Sequence, residues 1–84
     1  MILNKYELEK KIVDFLSEIR PEFDFSKPAN FIEDGMLDSF DIVQLIVSLD
    51  SEYGISIDGV DILPENFSSL DSIAQVLIKN GAVV

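Results

Sequence analysis

DSFDIVQLIVSLDSEYG, residues 38–54, contains a whole helix together with both of its ends. Asp38 is a strong N-cap type, and Asp41 follows three residues later. Both acids suit the positive end of a helix dipole. Gly54 is a suitable C′ residue. The helix these signals bracket runs from about Ser39 to Tyr53. With Phe40 at zero and 100° per residue, Gln44, Ser48, Asp41 and Glu52 fall between about 40° and 120°. The remaining arc, about 220° wide, is apolar apart from Asp50. One core contact needs a stripe of only ~100°. Either this helix lies in the middle of a bundle, or part of the arc faces a partner or ligand.

The flanking sequence supplies more helices. Asn4 and Glu7 form a capping-box-like start, with Leu3 and Leu8 placed to staple it. Leu8, Ile12, Phe15, Leu16 and Ile19 share one helical face, and Pro21 stops the helix near Ile19 or Arg20. Residues 21–38 show no period, carry Pro21, Pro28 and Gly35, and read as a long loop. Phe23, Phe25 and Phe31 suggest that this loop is pinned to the core. ISIDGVDIL, residues 55–63, alternates briefly like a strand but has no convincing strand to pair with. A loop followed by a short third helix around Val60–Leu63, ended by Pro64, is the preferred reading. Ser68 or Ser69 caps the last helix, with Asp71 placed to complete a box for Ser68. Leu70, Ile73, Ala74, Leu77 and Ile78 form its apolar face, and Asn80-Gly81 ends it. The expectation is one all-α domain over residues 1–84: a four-helix bundle with three longer helices, one short one and a long first loop.

Composition narrows the function. The 84 residues contain no cysteine and no histidine, which removes disulfides, thiolate chemistry and the commonest general base and metal ligand. No metal site is expected. Six basic residues face sixteen acidic ones, a net charge of −10. That disfavours nucleic acid and anionic membranes and favours a basic protein surface as partner. Five of the six basic residues precede position 28, and from Pro28 to Ile78 there is none against ten acids. Those acids read as a solvated surface or as a docking face. No apolar run reaches membrane-span length, and MILNKYELEKK lacks a signal-peptide core. A cytoplasmic monomer is the expectation.

The one nucleophile in a suggestive setting is Ser39, within DGMLDSFD, residues 34–41. It stands at the loop–helix junction. As a plain residue it is a helix starter. As a catalytic serine it lacks a base, since no histidine exists and no lysine is near in sequence. As a site of covalent modification it offers a phosphoryl group the N-terminus of a helix. Flanking acids would repel a bare phosphate. They suit contacts with the enzyme that delivers the group.

DGMLDSFD resembles the attachment motif of acyl carrier proteins and peptidyl carrier proteins, D/G-x-x-x-D-S-L in the fatty acid branch. The resemblance covers nearly the whole chain: the helix-1 pattern, the long loop, the helix starting at Ser39, its Tyr53-Gly54 end, and ILPENFSSLDSI, residues 62–73, leading into the last helix. It implies that a phosphopantetheinyl transferase moves 4′-phosphopantetheine from coenzyme A onto Ser39, giving a non-catalytic carrier that holds acyl or aminoacyl cargo as a thioester. A chain without cysteine would then do thiol chemistry through a prosthetic group. The resemblance assigns Asp38 to assisting the transferase and its Mg²⁺. It assigns Phe40, Val43 and Val47 to contacts with partner enzymes, and Asp41, Asp50 and Glu52 to basic partner surfaces. Those partners would be a ligase that activates the cargo acid and a downstream synthase or transferase with a basic docking patch.

The chain departs from the fatty acid branch at Phe40, where that branch has Leu, and at Gln44 and Ser51, where it usually has Glu. These departures favour a specialised pathway over housekeeping fatty acid synthesis. LDSF, residues 37–40, and VQLI, residues 43–46, are also similar to carriers of D-alanine or other amino acids loaded by a stand-alone adenylating ligase. Two readings lie outside the carrier class. One is an unmodified helical adaptor for a basic partner. The other is an enzyme working with the carboxylates of Asp38 and Asp41.

Overall fold

The computed structural model of the chain describes residues 4–82. Three α-helices follow in order: α1 (Lys5–Ile19), α2 (Ser39–Tyr53) and α3 (Leu70–Lys79). Two 3₁₀ turns, Gly59–Asp61 and Pro64–Phe67, fill the connection between α2 and α3. There is no strand among the described residues. The Cα radius of gyration is 11.6 Å, close to the ~12 Å of a compact chain this long.

The helix ends follow local chemistry. Asn4 caps α1 by accepting from the Glu7 N–H at 2.8 Å. The expected staple from Leu3 lies outside the described residues. Asp38 and Asp41 form a reciprocal capping box on α2. Gly54 closes α2 at φ 63°, a left-handed conformation that favours glycine. The cap of α3 is Ser69 with Ser72, not Ser68 with Asp71. Ser68 instead turns its hydroxyl back to the Glu65 carbonyl at 2.9 Å.

α1 packs against both α2 and α3, and the Pro64–Phe67 turn packs on α3 and α2. Leu8, Ile12 and Leu16 of α1, Leu45 and Leu49 of α2, and Ile73 and Leu77 of α3 are fully buried. The long loop joins this core through its aromatic residues. Phe25 and Phe31 are buried edge-to-face, with ring centroids 5.1 Å apart, and Phe23 meets Phe25 edge-to-face at 6.2 Å. The Phe31 N–H donates to the Ser68 carbonyl at 2.8 Å, tying the loop to the approach to α3. Met36 and Leu37 are buried just before Asp38, so the loop delivers the start of α2 on a fixed backbone.

The expected short helical turn around Val60–Leu63 is a 3₁₀ turn over Gly59–Asp61 and not an α-helix, so the described residues hold three α-helices, not the four of the expected bundle. Pro64 explains the difference. It begins the second 3₁₀ turn instead of ending a helix, and its ring restricts Leu63 to extended backbone, at φ −120° and ψ 141°. The segment is then too short for a helix before the proline.

Candidate functional site

Ser39 is the first residue of α2 and is exposed. The cap is Asp38: its Oδ1 accepts from the Asp41 N–H at 2.9 Å, and Asp41 Oδ2 accepts from the Asp38 N–H at 3.0 Å. The hydroxyl of Ser39 is thus not the group that starts the helix. Hydrogen bonding from the Asp41 N–H, aided by the charge of Arg20, holds the Asp38 carboxyl below its ordinary value. With the Asp41 N–H taken by Asp38, the helix end offers an incoming anion fewer free donors than its dipole alone suggests.

An apolar cleft of about 230 Å³ opens beside the serine. Ser39, Ile42 and Val43 line one side, and Ile62, Leu63 and Pro64 the other. Phe40, Val43 and Val47 continue this surface along α2 with relative exposures of 68%, 54% and 64%. Val60, on the first 3₁₀ turn, is also exposed, at 71%. The wide apolar arc of α2 therefore splits: Ile42, Leu45, Ile46 and Leu49 face the core, while Phe40, Val43 and Val47 form an uncovered strip.

Of the acids assigned to partner surfaces, Asp41 turns inward and Asp50 is partly engaged. Asp41 is 3% exposed, and its carboxylate is engaged by the capping box and by Arg20 Nε at 2.9 Å. Asp50 is half-buried, and its Oδ1 accepts from the Ile57 N–H at 3.2 Å, fastening the turn after α2. Asp41 is therefore not a free surface charge, while Asp50 has one carboxylate oxygen tied to the backbone. Glu52 is exposed, pairs with Lys11 at 3.6 Å, and lies roughly 20 Å along the helix from Ser39. Ser39, Asp38, Phe40, Val43 and Val47 thus form one exposed group, and Glu52 stands apart from it.

Sequence reasoning missed Arg20 and the wall made by Ile62, Leu63 and Pro64. Arg20 lies 18 residues before Asp38 and reaches it only through the fold; its Nη2 is 3.3 Å from Asp38 Oδ2. One signal existed: a span of acids with no basic residue must find its cation elsewhere. The wall residues have no period to reveal them, and only an apolar pair ahead of a proline marks the place.

A larger cleft of about 310 Å³, lined by Tyr6, Glu9, Lys10, Val13, Ser26 and Leu70, contains none of the candidate residues. No group of three or more metal-ligating side chains converges among the described residues, and no helix there is long and apolar enough to cross a membrane. Comparison with protein-family models, with curated proteins and with solved structures finds no match for this chain.

Proposed function

We propose that the chain is a carrier protein of the acyl-carrier type, modified on Ser39 with 4′-phosphopantetheine. The observation that carries this reading is an exposed serine at the first position of α2, relieved of capping by Asp38, at the edge of an apolar cleft. The cap is Asp38, so the Ser39 hydroxyl is not held by that task. Here it is free to accept a group, and the surface beside it is apolar.

In the proposed modification Ser39 Oγ attacks the phosphorus of coenzyme A that bears the pantetheine. A new Oγ–P bond forms, the P–O bond to the nucleotide breaks, and adenosine 3′,5′-bisphosphate leaves. The hydroxyl proton passes to a base of the transferase or to solvent. The attached arm supplies a terminal thiol that holds acyl or aminoacyl cargo as a thioester. Asp38 is adjacent to the acceptor and exposed, which supports the proposal that it would assist the transferase and its Mg²⁺. Phe40, Val43 and Val47 provide the apolar surface on which partner enzymes would dock. A cargo-activating ligase and a downstream synthase or transferase complete the proposed set, working in the cytoplasm.

The test is intact mass after incubation with coenzyme A and a promiscuous phosphopantetheinyl transferase. The wild type is expected to gain the mass of one 4′-phosphopantetheine and Ser39→Ala none. No gain in the wild type, or an equal gain in Ser39→Ala, rejects the proposal.

The uncovered strip on α2 also supports the unmodified adaptor. That reading expects Ser39→Ala to retain function in cells and Val47→Asp to lose it.

A further inference from the structure

Arg20 stands where α1 ends and α2 begins. It is the C-cap of α1, and its backbone N–H donates to the Leu16 carbonyl at 2.8 Å. Its guanidinium spreads over three carboxylates: Nε to Asp41 at 2.9 Å, Nη2 to Asp38 at 3.3 Å and Nη1 to Glu22 at 3.5 Å. The Asp41 side chain is only 4% exposed, and Arg20 is the cation fixed beside it. No Lys or Arg occurs between residues 28 and 78, so no neighbour in sequence supplies a cation to Asp38 and Asp41. A planar fork can hold two carboxylates in a set orientation, which a lysine ammonium on a flexible stem does not do.

We propose that Arg20 is a positioning residue for the modification of Ser39, an inference that rests on the carrier reading above. One arm of its fork fixes the first turn of α2 through Asp41. The other aims the Asp38 carboxylate, which flanks the acceptor hydroxyl. The same charge offsets two acids that would otherwise repel the anionic pyrophosphate of the donor. Arg20 touches neither donor nor acceptor in this scheme and acts through Asp38 and Asp41.

The test compares wild type, Arg20→Lys and Arg20→Gln. Transfer from coenzyme A by a promiscuous transferase is followed by intact mass, giving kcat and KM for the carrier. In parallel, carbon NMR follows the titration of the Asp38 carboxyl, and circular dichroism checks helix content. Arg20→Lys is expected to fold and to lose about threefold in kcat, and Arg20→Gln about tenfold or more, with KM changed less than about twofold. The Asp38 carboxyl is expected to titrate at higher pH in Arg20→Gln, which loses the Arg20 charge, and less so in Arg20→Lys, which keeps a cation. If Arg20→Gln does not fold because Asp41 is left unpaired, Arg20→Lys alone decides. An Arg20→Lys carrier modified at the wild-type rate, a loss confined to KM, or an Asp38 titration unmoved in a folded Arg20→Gln overturns the positioning role. Failure of the wild type to gain mass rejects the carrier reading itself, a result distinct from a modified wild type matched by Arg20→Lys.

Discussion

At the N-terminus of α2, Asp38 is the cap although the neighbouring Ser39 is also a capping residue type. The aspartate accepts the backbone donor, and the serine is left exposed. Two consequences can be measured. Ser39→Ala should leave stability within about 0.5 kcal/mol of wild type in urea unfolding, because no cap is lost and alanine is a good helix former. A drop well beyond that would make Ser39 a structural residue. Asp38→Asn keeps a competent cap but removes the titration. The Asp38 carboxyl sits below its ordinary 3.8 in the folded chain, chiefly through the Asp41 N–H, so its contribution is full above that value. The contribution is lost as pH falls through the lower folded value. Asp38→Asn should therefore show a shallower loss of stability below about pH 3.8, read from thermal melts at stepped pH. Gly54 gives a third residue-scale outcome. No atom blocks an added Cβ there, so Gly54→Ala should lose about 1 kcal/mol, from the left-handed backbone alone.

Among the elements, α2 was the most legible in sequence and also the most ambiguous. Its caps and its end are where Asp38 and Gly54 implied. Its apolar arc announced more than one contact but not where the arc would divide. Asp41 shows why: at about 100° on the helical wheel it borders Leu45 at about 140°, and packing drew it into the core side. Asp50 lies within the apolar sector and was captured by the following turn, a contact that no periodicity encodes. The 3₁₀ segment was the least legible. Its conformation depends on Pro64, on Asp61 accepting from Lys79 Nζ at 2.7 Å and on Asn80 Nδ2 at 3.2 Å, partners 18 and 19 residues away. The division of α2 yields a paired measurement. Leu45→Ala, at a fully buried position, should cost about 2–5 kcal/mol, while Val47→Ala on the uncovered strip should cost under about 0.5 kcal/mol. Equal losses would mean that the strip is packed in solution.

Over the whole molecule, the sequence revealed the charge but not its distribution in space. The candidate serine was legible because its signal is local. Arg20 was not, because its role exists only once α1 and the long loop bring residue 20 to residue 38. Each of the ion pairs among the described residues uses one of Lys5, Lys11, Arg20 and Lys79, so a large acidic excess remains against a net charge of −10. Most of those acids are exposed, and in a fold only 32 × 25 × 18 Å across they repel one another more than in the expanded chain. Salt weakens both the attraction in the pairs and the repulsion of the excess. The exposed pairs contribute little individually, so the repulsion should dominate. Raising NaCl from about 0.02 M to 0.5 M shortens the screening length from roughly 20 Å to about 4 Å, below the spacing of most surface charges. Stability at pH 7 is then expected to rise by about 1 kcal/mol, a gain of about 4–8 °C in Tm for a domain of this size. The same titration on Arg20→Gln should show a larger rise, since that variant starts with one more uncompensated acid at the head of α2. A fall in Tm with salt would show that the ion pairs, Arg20 with Asp41 foremost, outweigh the excess charge.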